Sequence, residues 1–152
     1  GIVADRQGVL FDDNLERAAF YARSVIRTIR NLGWQPDLVH AFGWLSGLVP
    51  YILRTEFAED ELFKNAKIVY TPETVDFEAQ LDGKSFYSLS LAPHDELIGQ
   101  NPSDAGIRFA DASIFPSSMN EDGDTPSFSG EAETEMEEAV AVYDSIMSGV
   151  LA

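Results

Sequence analysis

Two short apolar runs, Leu38-Val39-His40-Ala41-Phe42 and Lys67-Ile68-Val69-Tyr70-Thr71, bracket a segment with helical spacing, and that order restricts the fold more than any other feature. Runs this short and this continuously apolar suit strands buried on both faces, as in parallel sheets. Between them Leu45, Leu48, Val49, Ile52 and Leu53 recur at three- and four-residue intervals, which predicts a helix over Trp44 to Arg54. Pro50 sits inside that stretch and is expected either to kink the helix or to shorten one end. Strand, helix and strand with short links make a βαβ unit with a right-handed crossover, hence an α/β domain with a parallel sheet.

The flanking segments fit the same plan. Leu15, Ala18, Ala19, Ala22, Val25, Ile26, Ile29 and Leu32 form one apolar stripe, with N-cap choices at Asp12-Asp13-Asn14 and a stop at Asn31, Gly33 and Pro36. Arg23, Arg27 and Arg30 share the other face of this helix; they read as a solvated face, with a ligand-facing basic stripe as the alternative. Residues 55–66 suit a loop with a helical turn. Further helices are expected around Phe86 to Leu91 and Asp104 to Ala110, and a third strand over Ala112 to Pro116. Residues 117–130 collect Ser, Asn, Asp, Gly and Pro and read as a flexible loop. A last helix is expected over 131–149, capped by Ser129, with Met136, Ala139, Val140, Tyr143, Ile146, Met147 and Val150 on one stripe. Its early glutamates lie where the helix dipole favours negative charge.

Charge then excludes several partners. The chain has 152 residues and a formal net charge of −16, and all ten Lys and Arg lie before residue 109. The remainder carries only carboxylates, so phosphate backbones and anionic membranes are poor partners. No apolar run approaches the ~20 residues needed to span a bilayer. With no cysteine, disulfides, thiolate metal sites and cysteine nucleophiles drop out. The length suits a single domain over 1–152. The first residue is Gly1 rather than Met, which leads to the expectation that an N-terminal portion has been lost.

Most catalytic constellations fail on spacing. Gly43-Trp44-Leu45-Ser46-Gly47 hints at a nucleophile elbow, but Trp44 and Leu48 stand where that turn needs glycine. A hydrolase using Ser46 and His40 is the weakest reading. His40 ends its strand on the side where open α/β sheets bind ligands, and is either a site residue or a buried, hydrogen-bonded histidine. His94 has Asp95 and Glu96 beside it but no second imidazole at ligand spacing, so no metal site is expected there. Asn120-Glu121-Asp122-Gly123-Asp124 lacks the spaced ligands of a calcium loop and reads as solvated. No glycine-rich phosphate loop is present, and no cofactor is expected.

Two segments go beyond this. Asp13-Asn14-Leu15-Glu16-Arg17-Ala18-Ala19-Phe20-Tyr21-Ala22-Arg23 resembles the "Asp-Asn-x-x-Arg-Phe-x-Phe-Phe-Ser-Arg" helix of bacterial glycogen and plant starch synthases, glycosyltransferase family 5. The stretch from Gly33 to Pro50 resembles that family's "Gly-Trp-x-Pro-Asp-(Ile/Val)-(Ile/Val)-His-x-His-Asp-Trp-x-(Thr/Ala)-Gly-Leu-x-Pro". The match runs over residues 13–77, with Asp111 a faint counterpart of a later "Tyr-Ala-Asp". Short single-domain bacterial relatives of the family are also similar to this chain.

The resemblance implies a partial Rossmann-like, three-layer α/β domain, the N-terminal half of a two-domain glycosyltransferase. It implies transfer of glucose from ADP-glucose to an α-1,4-glucan with retention, in the cytoplasm. It also makes His40, Trp44, Glu73 and Thr74 the acceptor-side cleft candidates, with α-glucan or ADP-glucose as partner. The chain departs from the pattern at decisive places. The motif's second histidine and its aspartate fall on Phe42 and Gly43, and the family's later His-Asn pair falls on Glu73-Thr74. The "Lys-x-Gly-Gly-Leu" donor loop has no counterpart in these residues. Losing one preorganised donor costs on the order of ~10²–10³ in rate, so the chain is expected to be inactive alone. The alternative is a non-catalytic protein that binds glucan or another protein. A sheet with an unpaired edge would further favour self-association or a partner that completes it.

Overall fold

The computed structural model describes residues 3–119 and 123–149. Asn120, Glu121, Asp122 and Val150, each invoked above, lie outside the described residues. Helix α1 spans Asn14–Asn31 and buries Ala18, Ala19, Ala22 and Ile26, the stripe its spacing predicts. Its start differs from expectation. Asp13 occupies the N-cap position but its carboxylate accepts from Arg17 Nε at 2.7 Å instead of capping, and Asn14 turns inward to donate to the Val3 carbonyl at 3.0 Å. At the other end the Gly33 and Trp34 amides return to Arg30 and Ile29 carbonyls, a Schellman closure that ends the helix.

Strands β1 (Leu38–Phe42) and β2 (Lys67–Thr71) pair in parallel, Leu38 opposite Lys67 through to Phe42 opposite Thr71. The intervening helix is split. Trp44–Ser46 form a 3₁₀ turn and α2 begins only at Val49, running to Thr55. Pro50 therefore shortens the helix and does not kink it: in the first turn its missing N–H leaves nothing unsatisfied. Helix α3 (Gly83–Ser88) starts three residues before its expected place because Asp82 caps it, accepting from the Ser85 amide at 2.7 Å. Helix α4 (Pro102–Phe109) likewise starts early, on Asn101, whose Oδ1 accepts from the Ser103 and Asp104 amides.

The third strand, β3, is only Ala112–Ser113, parallel to β2, against the expected 112–116. The Ile114 amide still reaches Tyr70, but Phe115 turns its backbone to residues 126–128 and leaves the sheet. Asp111, at the strand's start, accepts from the Ile68 amide (2.7 Å) and from Arg54 (2.6 Å), tying β2, β3 and α2 together. Helix α5 covers Glu135–Met147, inside the expected 131–149. Thr134 takes the N-cap position; Ser129, the expected cap, instead donates its amide to Glu138 at 3.0 Å.

The sheet order is β1-β2-β3 with helices on both faces. Strand alternation divides the core. Val39, Ala41, Ile68 and Tyr70 point to one side and pack with α1, α2 and α4. Leu38 and Val69 point to the other, against Ile114, Phe128 and the Ala139, Val142 and Ile146 stripe of α5. This is a three-layer, partial Rossmann-like arrangement, as expected. The arginine face of α1 is not simply solvated. Arg23 pairs with Glu56 and donates to the Ser90 carbonyl at 2.9 Å, and Arg30 meets Asp60 at 2.8 Å, fastening the 55–66 loop to the helix.

Candidate functional site

The C-terminal ends of β1 and β2 bring together residues 40–47 and 71–77. His40 lies on the α5 side of the sheet. Its Nε2 is 2.8 Å from Thr71 Oγ1 and its Nδ1 2.5 Å from the Tyr143 hydroxyl, so the ring bridges two hydroxyls, donating to one and accepting from the other. Burial without a neighbouring carboxylate holds its pKa down to about 4, which keeps the ring uncharged at neutral pH. Burial also pushes the Tyr143 hydroxyl upward. The imidazole stacks on Phe42 at 3.8 Å, and Phe42 itself is 57% exposed. Nδ1 thus ties β1 to α5, and Nε2 ties β1 to β2.

The turn after β1 is built around Gly43. Its φ of 79° belongs to the left-handed region, its N–H donates to the Thr71 carbonyl at 2.9 Å, and its carbonyl accepts from the Tyr70 hydroxyl at 3.0 Å. A Cβ placed on Gly43 would lie 2.9 Å from Glu73 Oε2. That same oxygen accepts the Trp44 backbone N–H at 3.0 Å. Glu73 therefore fills the space above Gly43 and adds a negative charge at the strand ends.

The Trp44 indole is buried edge-on against Phe77 at 5.0 Å, with its Nε1 unpaired. Tyr70 is pushed up to about 12, first by burial and then by the charges of Glu73 and Asp104, against the lowering effect of Ser103. Gly47 lets the 3₁₀ turn touch α4: a Cβ there would sit 2.3 Å from the Pro102 carbonyl.

Of the four cleft candidates, Trp44 and Glu73 meet across one hydrogen bond, and His40 lies on the same pair of strand ends with its ring turned into the α5 contact. Thr74 is exposed and joins none of these contacts. The hydrolase reading does not survive. Ser46 is buried and its hydroxyl donates to the Phe42 and Gly43 carbonyls, while both His40 nitrogens are occupied elsewhere. Thr71, Tyr70, Ser103 and Tyr143 are parts of this region that the sequence pattern did not single out. Alternation does put Thr71 on the His40 face, but Tyr143 comes from 103 positions away and reads locally as one more apolar stripe residue.

Among the described residues no cluster of three or more His, Asp and Glu is placed to hold a metal ion, and no helix is long and apolar enough to cross a membrane.

Residues 3–133 match the family model for the starch synthase catalytic domain. The chain belongs to the starch synthase catalytic domain family. Among curated glycogen synthases, that of Chlorobaculum parvum is 33% identical over 122 residues, covering 73% of this chain and 24% of the relative. That of Koribacter versatilis is 40% identical over 81 residues, covering 53% and 16%. This member of the family thus spans about a quarter or less of those relatives. Its backbone also resembles the catalytic domain of starch synthase IV from Arabidopsis thaliana bound to ADP and acarbose, with a TM-score of 0.57 and 18% identity, over 68% of this chain and 23% of that one.

Proposed function

We propose that this chain is the acceptor-side portion of a cytoplasmic glucosyltransferase that uses ADP-glucose to extend an α-1,4-glucan, and that it does not catalyse transfer by itself. The observation that carries this reading is the Gly43–Glu73 contact. Where the family motif has an aspartate, Gly43 adopts φ 79° beneath a glutamate that caps the Trp44 amide. A glycine offers no side chain to orient a sugar hydroxyl. A carboxylate in place of a histidine repels a departing diphosphate instead of stabilising it. The same contact favours, as a second reading, a non-catalytic role in binding glucan or another protein.

The test is transfer of labelled glucose from ADP-glucose to glycogen. The chain alone is expected to give none, and elongation that depends on ADP-glucose would overturn the proposal. The proposal includes completion of the sheet: among the described residues β1 has a neighbour on one side only. A second copy, or another protein, is expected to pair with it. A monomer by light scattering, unchanged by any added partner, would count against that part.

A further inference from the structure

The segment that leads into α1 and the segment that follows β2 enclose a cavity of about 380 Å³. Each wall is fixed by its own contacts. Residues 3–11 fold back on themselves: Asp5 Oδ1 accepts the Gln7 and Val9 amides at 2.8 and 2.9 Å, Ala4 bridges Leu10, and the Phe11 amide reaches the Val3 carbonyl. That turn delivers Phe11 and Asp12 to the start of α1. On the other wall Phe77 is held edge-on to Trp44, and buried Leu81 exchanges backbone hydrogen bonds with Gly99 and Gln100. The lining combines the Phe11 and Phe77 rings with the carboxylates of Asp12 and Glu78, and it includes no Lys or Arg. Asn14 also lines the cavity and is 5% exposed. Its Nδ2 donates to the Val3 carbonyl, but its Oδ1 is buried without a hydrogen-bond partner. A buried acceptor left unpaired is destabilising, so this wall calls for a donor.

We propose that this cavity binds a short aliphatic polyamine, with one ammonium at Asp12 and another at Glu78. The site is independent of the activity proposed above and uses none of the strand-end contacts. An ammonium group only donates, and both charged groups of the lining only accept. The two rings attract a cation through their π-systems and cover the methylene chain between the ammonium groups. Phe11 already behaves this way toward Arg17, whose guanidinium lies 4.0 Å from the ring centroid. That arginine does not line the cavity, and Asp13 at 2.7 Å matches its charge, so it does not oppose a second cation strongly. A metal ion fits less well, because among the described residues no three His, Asp or Glu converge to hold one. Sugar phosphates and nucleotides would meet two carboxylates and no counter-charge. The net charge of −16 draws polycations to the whole chain without choosing a place for them; the cavity makes the choice.

The experiment is isothermal titration of the full chain with putrescine at physiological ionic strength, where diffuse attraction to surface charge is screened. The unsubstituted chain is expected to bind a single putrescine. Asp12→Asn and Glu78→Gln should each weaken binding roughly tenfold, as befits loss of one charged acceptor. Both side chains are exposed and make no hydrogen bond or ion pair among the described residues, so neither change threatens the fold. Phe77→Leu, which keeps an apolar contact for Trp44 but removes the ring, should weaken binding severalfold. Glu137→Gln, at an exposed carboxylate of α5, should leave affinity unchanged. Butylamine, with one ammonium, should bind roughly tenfold more weakly than putrescine, and butanediol should not bind. No putrescine binding, or equal affinity in the unsubstituted chain and the Asp12→Asn/Glu78→Gln double variant, would overturn the site. A loss in Glu137→Gln as large as in Glu78→Gln would also overturn it, since overall charge alone would then attract the ligand. Butanediol binding as tight as that of putrescine would overturn the ligand class.

Discussion

The strand ends and the α3 arm differ in how their polar groups are used. At the strand ends, residues 40–47 and 71–77 are closed by their own contacts: His40 bridges Thr71 and Tyr143, Glu73 caps Trp44, and Tyr70 spans Gly43 and Ser103. In the arm, residues 83–98 leave the Tyr87 ring face open and the His94 Nδ1 without a partner, while Ser90 at φ 52° closes α3, its amide on the Tyr87 carbonyl. Apart from the buried Trp44 Nε1, the polar groups named at the strand ends are thus engaged within the protein, whereas Tyr87 leaves the region without a motif open. The two motif positions this chain keeps, His40 and Trp44, are both engaged in packing, whereas Phe42 and Gly43 depart from the motif.

The most severe way to break this contrast is to force the closed region apart. In Gly47→Ala the new methyl would meet backbone atoms, Pro102 O at 2.3 Å and Ser103 N at 2.9 Å, which no side-chain rotation can relieve. We expect a loss of about 3 kcal/mol or more in urea unfolding. Gly43→Asp, which restores the motif's residue type, comes next. It places an L side chain at φ 79° with Glu73 Oε2 in its path, and sets two carboxylates together. A loss of about 2–3 kcal/mol is expected. Adding Glu73→Ala should recover part of it; no recovery would mean that backbone conformation alone carries the cost.

His40 sharpens the contrast through pH. Its folded pKa, about 4, lies below the ordinary 6.5, so the unfolded chain binds the proton more readily. Its contribution is complete above pH 6.5 and falls away as pH drops from there toward 4. Unfolding midpoints measured across that window should decline on acidification, and His40→Gln should flatten the decline. An unchanged slope in His40→Gln would show that carboxylates set the acid sensitivity and that the hydroxyl bridge contributes nothing to it.

The two regions also differ in legibility. The extents of β1 and β2 follow from unbroken apolar runs, and α1 from a stripe of alanines and isoleucine whose period admits no other element. The closed site was half legible: the apolar run placed His40 at a strand end and the family resemblance marked Trp44, but their partners depend on which segments the fold brings back. Tyr143 arrives from α5, and no local pattern announces it. The caps Asp82 and Asn101 start α3 and α4 earlier than apolar spacing alone predicts. The open groove lined by Tyr87, His94 and Ile98 was not legible at all, since it arises from the packing of short segments against α2 and α4.

Arg23 fastens the arm to α1 and the 55–66 loop, and its removal should have a modest effect. It pairs with Glu56 and holds the Ser90 carbonyl, with 18% of its side chain exposed. Arg23→Ala is expected to cost about 1–2 kcal/mol, because the Ser90 carbonyl and Glu56 lose a charged donor. Hydrogen exchange at residues 86–92 should quicken while that at 67–71 stays as it was. Quickening in both would mean that the arm and the sheet open as one unit.

The smallest effect belongs to Tyr87. At 90% exposure its side chain buries almost nothing against the protein, so Tyr87→Ala should shift stability by less than about 0.5 kcal/mol. One residue earlier, Phe86 is 4% exposed, and truncating it to alanine should cost about 3–5 kcal/mol. Adjacent positions on one short helix thus separate the two uses of an aromatic ring: Phe86 roots α3 in the core, and Tyr87 contributes to the fold only a surface. A substantial loss of stability in Tyr87→Ala would mean that the ring packs against the arm in solution, erasing the difference between the open region and the closed one.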